Sequence, residues 1–178
     1  MPEPAPTIAT RPVRQVSIDT GRPYDAFRAD YEAAVPPFDR LEAIGVLRSG
    51  GGWEAIRALS AATAVHGFVN FFVFDPSPVM KLNGSTGRAV TYLTSNIVVA
   101  EPAFRIDPAI ILYFPLRVVI AESTTGSAVL GFDVPVDLLA VHADPELHRF
   151  ALAFGQSFAG LLAYLGVEAP ADLTDPER

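Results

Sequence analysis

Cysteine is missing from the 178-residue chain. That excludes disulfides, thiolate zinc sites, iron–sulfur clusters and a cysteine nucleophile, and it fits a reducing compartment. Lysine is nearly missing too. Lys81 stands alone among 13 basic residues, the rest being arginine. Against 20 acidic residues this gives a formal charge of -7, so the chain has no basic face for a phosphate backbone or an anionic membrane surface. The longest apolar run, Ala109 to Ala121, is broken by Pro115 and Arg117 and is too short to span a bilayer. The N-terminal MPEPAPTIATR has no apolar core of signal-peptide length. A cytoplasmic setting is expected. There are three histidines, His66, His142 and His148, and none shares an element with another histidine and a carboxylate at ligand spacing. No metal site and no cofactor are expected. A Gly-x-Ser-x-Gly elbow, a Ser-x-x-Lys pair and a Walker loop are all lacking, and Gly50-Gly51-Gly52 reads as a linker.

Hydrophobic residues are not scarce. They make up 50% of the chain, enough for a sizeable core. Residues 1–12 read as a flexible N-terminal arm, 13–166 as a single α+β domain, and 167–178 as a frayed acidic tail. Val13 to Ile18 alternates weakly as a strand. Phe27, Tyr31, Ala34 and Val35 then recur at helical spacing until Pro36-Pro37. A short extra helix is expected near 53–64, on the stripe Trp53, Ile56, Leu59, Thr63. Val65 to Phe74 is apolar on both faces, which predicts a central, covered strand. Asn83-Gly84 marks a turn. Ala89 to Ala100 reads as a strand, Glu101 to Pro108 as a connection, Ala109 to Ala121 as a strand with Pro115 at an edge or bulge, and Ser127 to Asp133 as its partner. The last element is the plainest. Asp144 suits an N-cap and Pro145 a first turn. Leu147, Phe150, Ala151, Phe154, Phe158, Leu161, Leu162 and Leu165 follow at spacings of three and four, and Gly166 is a stop. Strands between flanking helices predict an antiparallel sheet with a long C-terminal helix packed on it, in the order β-α-β4-α.

Four segments carry a resemblance: Trp53-Glu54 ahead of His66-Gly67-Phe68; Tyr92-Leu93-Thr94-Ser95-Asn96; Leu112-Tyr113-Phe114-Pro115-Leu116-Arg117-Val118; and Phe132-Asp133-Val134-Pro135. In this order they resemble the bacterial "domain of unknown function 302" family. The resemblance implies a fold like one repeat of the TATA-binding protein, in the same β-α-β4-α order, and no activity. The chain carries Ser95-Asn96-Ile97 where that family tends to Gly-Asn-Pro, and Pro135-Val136-Asp137 where it has Pro-Ser-Ser.

Arg117 stands between Leu116 and Val118, and a dry, unpaired charge there costs several kcal/mol. It must reach water, a carboxylate such as Asp133, Glu101 or Asp107, or a ligand anion. Asn70 and Asn96 are polar residues inside apolar runs and need partners. With Tyr92 and Tyr113 they form a candidate ligand set, Asn70, Tyr92, Asn96, Tyr113 and Arg117, lining a mostly apolar pocket between sheet and C-terminal helix. The alternative is that strand parity scatters them. Three readings of function stay open: a small-molecule-binding domain anchored by Arg117; a cofactor-independent isomerase, cyclase or lyase drawing its acid or base from Tyr92, Tyr113, Asp133 or Glu101; and an interaction or scaffold protein with a filled core. The phenylalanines at 68, 71, 72 and 74 exceed what one sheet face needs, so some are expected to line a cavity or an oligomer interface where a sheet edge pairs with its copy, and a homodimer is expected.

Overall fold

A computed structural model describes residues 8–173. Five strands, β1 (Gln15–Pro23), β2 (Val69–Phe74), β3 (Ala89–Ser95), β4 (Leu116–Glu122) and β5 (Ser127–Asp133), form one antiparallel sheet in the order β1-β5-β4-β3-β2. The pleat sends alternate residues to opposite faces. On the inner face Val90, Tyr92 and Thr94 of β3, Leu116, Val118 and Ile120 of β4, and Ala128, Leu130 and Phe132 of β5 are all at most 3% exposed. Two helices cover that face. The first, α1 (Tyr24–Ala34), buries Tyr24, Phe27, Tyr31 and Ala34 at helical spacing. The second is the C-terminal α7 (Pro145–Tyr164).

The ends of α7 follow from its sequence. Asp144 accepts from the backbone N–H of Glu146 and Leu147 at 2.7 and 3.3 Å. Gly166 takes a left-handed φ of 73° just beyond the last turn, where a Cβ is disfavoured. Phe154 and Phe158 pack edge-on against Phe68, and Phe158 against Phe132. A Phe buried this completely contributes about 1.5–3 kcal/mol. The space between α7 and the sheet is therefore filled by side chains, and the pocket expected there is not formed.

Several expectations are corrected. The segment apolar on both faces is an edge strand, not a central one: β2 begins at Val69, and Phe72, Val73 and Phe74 are exposed. Only its start is covered, where Asn70 exchanges backbone hydrogen bonds with Pro36 and Phe38. The strand expected over Ala89 to Ala100 stops at Ser95. Asn96 then caps a helix, α5 (Ile97–Ile106), which contains Pro102 and replaces the expected connection. Residues Pro108–Leu112 form a 3-10 helix, a cis peptide joins Phe114 to Pro115, and β4 starts only at Leu116. Before β2 the chain makes α2 (Arg40–Arg48) and α3 (Trp53–Thr63), joined through Ser49–Gly52. After β2 come a four-residue helix, α4 (Ser77–Met80), and a 3-10 turn ending on Gly84 at φ 80°. A short α6 (Pro135–Leu139) precedes α7. Part of the expected frayed tail is docked: Leu173 is buried and Asp172 pairs with Arg14. Gly155 of α7 permits this, since a Cβ there would meet the Leu173 carbonyl oxygen at 2.5 Å. Residues 1–7 and 174–178 lie outside the described residues.

Candidate functional site

Thr94 and Ser95 are neighbours on β3, and alternation sends their side chains to opposite faces. Both are almost fully buried, at 0% and 3% exposure. Thr94 is satisfied: its hydroxyl donates to Asn70 Oδ1 at 2.7 Å and shares a hydrogen bond of 2.7 Å with the Tyr31 hydroxyl. Ser95 is not, because its Oγ has no protein partner. A buried hydroxyl without a partner is costly. Ser95 is one of the residues around a cavity of about 410 Å³, with Trp53, Phe71, Ile97, Phe104, Ile111 and Pro115 in its wall and Glu101 at its side.

The local structure explains why the cavity lies there. In antiparallel register Thr94 opposes Leu116, so Ser95 and Pro115 mark one end of the sheet. Immediately past that end the chain turns away on both strands. Asn96 Oδ1 accepts from Val98 N–H at 2.9 Å to start α5, and from Ser60 of α3 at 2.8 Å. The Asn96 amide donates to the Gly67 carbonyl at 3.1 Å. Helices α3 and α5 are thereby held across the sheet end without filling it. Four large apolar side chains left exposed, Trp53, Ile97, Phe104 and Ile111, converge on this space. A second apolar cleft, of about 290 Å³ between α2 and α3, adjoins it through Trp53 and Ile97. The wall carries one carboxylate, Glu101, which accepts from Arg105 Nε at 3.0 Å one helical turn away. The chemistry offered is an apolar chamber with one carboxylate at the wall.

The five residues expected to line a ligand site are not brought together. Asn70 lies in the closed network with Thr94 and Tyr31, and its amide donates to the Val35 carbonyl at 2.7 Å. Tyr92 donates to Glu32 at 2.8 Å beneath α1. Burial, and then the Glu32 carboxylate, drive its phenol well above the usual tyrosine range. Tyr113 accepts from Arg11 at 3.0 Å and meets His142 edge-on. Asn96 is the cap between the two clefts. Arg117 points to the outer, helix-free face and is exposed. Its charge reaches water, and among the described residues it makes no ion pair with Asp133 or any other carboxylate. Asp133 is half-buried on the same face, in a shallow groove with Arg117 and Val119. Among the catalytic candidates only Glu101 touches the cavity. His66 stacks on Tyr164 and His142 contacts Asp107 at 3.2 Å. Among the described residues no cluster of His, Asp or Glu is arranged to hold a metal.

Ser95 and its apolar surround were not singled out as a site by the sequence. The one local signal was Asn96, which ends a strand and starts a helix and so fixes where the sheet opens.

A family model for domain of unknown function DUF302 matches residues 50–165, and the chain belongs to that family. All of the cavity wall falls inside the matched segment. The crystal structure of an uncharacterized conserved protein DUF302 from Bacillus stearothermophilus is similar, with a TM-score of 0.59 at 14% identity, over 84% of this chain and 95% of that one. At that identity the likeness is one of fold. No curated protein matches the chain.

Proposed function

We propose that this domain binds a small, mainly apolar molecule in the cavity at the open end of the sheet. The observation that carries this reading is an apolar space of about 410 Å³ beside Ser95, on which the exposed side chains of Trp53, Ile97, Phe104 and Ile111 converge. That volume falls in the range of small-molecule sites, which pair an apolar lining with a few polar groups. The ligand takes its affinity from the aromatic and aliphatic wall. The reading differs from the expected pocket beneath α7 in place, not in kind. Glu101 in the wall also leaves room for turnover of the bound molecule, with that carboxylate as the base.

Trp53 is the chain's single tryptophan and forms part of the wall, so its fluorescence reads the site directly. Titration with 1-octanol is expected to shift Trp53 emission to the blue and to saturate. Ala100→Phe, which fills the cavity from α5, is expected to abolish the shift while the fold persists. A wild-type emission that does not respond, or a response that survives Ala100→Phe, overturns the proposal.

The exposed edge of β2 supports a second element of the reading, a homodimer. Phe72 and Phe74 are about half exposed and lie together on the free edge strand. An antiparallel edge is complementary to its own copy about a two-fold axis.

A further inference from the structure

Resting on the binding reading above, we propose that the ligand is an amphiphilic carboxylate, its tail in the cavity beside Ser95 and its carboxylate on Arg117. Three observations on the outer sheet face carry this. The first is position. Ser95 lines the cavity, and Leu93 lies two residues back along β3 on the same face, paired with Arg117 of β4. The step from Ser95 to Leu93 is about 7 Å, within reach of a long arginine side chain, and Leu93 makes the surface between the two points apolar.

The second observation is that Arg117 is idle. Arg14, Arg22, Arg28 and Arg88 each hold one or two carboxylates. Among the described residues Arg117, like the helix-terminal Arg40 and Arg48, holds none, although the register of β4 with β5, Val118 opposite Phe132, puts Asp133 on the next strand beside it. The third is charge. The chain is acidic overall, at -7, with Glu101 in the cavity wall and Asp133 in the outer groove beside Arg117. A doubly charged phosphate meets their repulsion, whereas a carboxylate carries one charge and matches the planar guanidinium fork with two hydrogen bonds.

The test compares octanoate with 1-octanol, both read by Trp53 emission on the wild-type chain and on Arg117→Gln. Octanol is the more apolar probe, so without a cation at the mouth it binds better. The expected result is that octanoate binds roughly five-fold more tightly than octanol, the size of one charge-assisted pair near solvent. Arg117→Gln is expected to erase that preference while leaving octanol unchanged. Octanol binding as tightly as octanoate, or a preference that survives Arg117→Gln, overturns the carboxylate and leaves the cavity reading standing. A wild-type chain in which neither probe moves Trp53 overturns both.

Discussion

Removing the hydroxyl of Ser95 is expected to stabilise the protein. Most core substitutions destabilise, so the sign alone is informative. Ser95 is 3% exposed and its Oγ finds no protein partner. An unsatisfied buried hydroxyl costs about 1–3 kcal/mol, and Ser95→Ala deletes it at the loss of a single buried atom. The net gain is about 1 kcal/mol, which for a chain of this size raises Tm by roughly 2–4 °C. The adjacent residue provides the control. Thr94→Val is nearly isosteric, but it strands the Asn70 carbonyl oxygen and the Tyr31 hydroxyl, both now bonded to Thr94 at 2.7 Å. Two orphaned buried groups cost about 3 kcal/mol together. Thermal and urea unfolding followed by circular dichroism measures both. If Ser95→Ala loses 1 kcal/mol or more, the hydroxyl is bonded in the folded protein rather than unsatisfied. If Thr94→Val costs no more than Ser95→Ala, the division of the sheet into a satisfied and an unsatisfied face is wrong.

Acid should weaken the anchor of β1. Asp137 accepts from the Arg14 backbone N–H at 2.8 Å and from its guanidinium at 2.8 and 2.9 Å. The Arg14 side chain, and then its backbone N–H, hold the Asp137 carboxyl below the usual aspartate range. A depressed folded pKa contributes stability that is present above about pH 4 and lost as pH falls through the folded value. Asp137→Asn is expected to cost on the order of 1 kcal/mol at pH 7, discounted because Arg14 is more than a third exposed. The cost should vanish in acid, and a pH-independent cost in urea titrations would show that the pair's charge is irrelevant. For the β2 edge, light scattering after size exclusion is expected to give a dimer for the wild type and a monomer for the double variant Phe72→Glu, Phe74→Glu. A wild-type monomer, or a double variant that still dimerises, removes the edge from consideration.

The sequence was most legible where local and tertiary signals agree. For α7, the cap at Asp144, the proline after it, the stripe from Leu147 to Leu165 and the stop at Gly166 all point one way, and the helix runs between them. It was least legible where they conflict. Ile97, Val98 and Val99 are β-branched and favour a strand. They are helical because Asn96 caps them and Ala103, a turn and a half on, is fully buried. In β2 an apolar pattern on both faces does not distinguish a covered strand from an edge strand with exposed apolar side chains, and Phe72 and Phe74 show it is the latter. Arg117 was read as a charge in need of rescue, and the helix-free face solves that with water. The cavity escaped notice because its wall is gathered from α3, β2, β3, α5 and the approach to β4, segments brought together only by the sheet register.

The placement of the cavity follows from how unevenly the helices are anchored. α1 and α7 bury a full stripe against the inner face, and any void opened beneath them costs about 3–5 kcal/mol per lost aromatic. α2 and α3 bury no residue completely, and α5 buries only Ala103. Elements with so few buried contacts lie at the low end of local stability. What ties α3 to the sheet end is largely one polar joint, Ser60 to Asn96, with Asn96 also holding Gly67. The cavity thus lies between the sheet end at Ser95 and Pro115 and the lightly buried helices α3 and α5. A site under α7 would require unpacking the core, whereas a site at the sheet end requires only that α3 and α5 part at Trp53 and Ile97. The same asymmetry separates stability from the proposed binding: inner-face residues such as Phe158 set whether the domain folds, and in the proposed reading Trp53 and Arg117 act on the ligand.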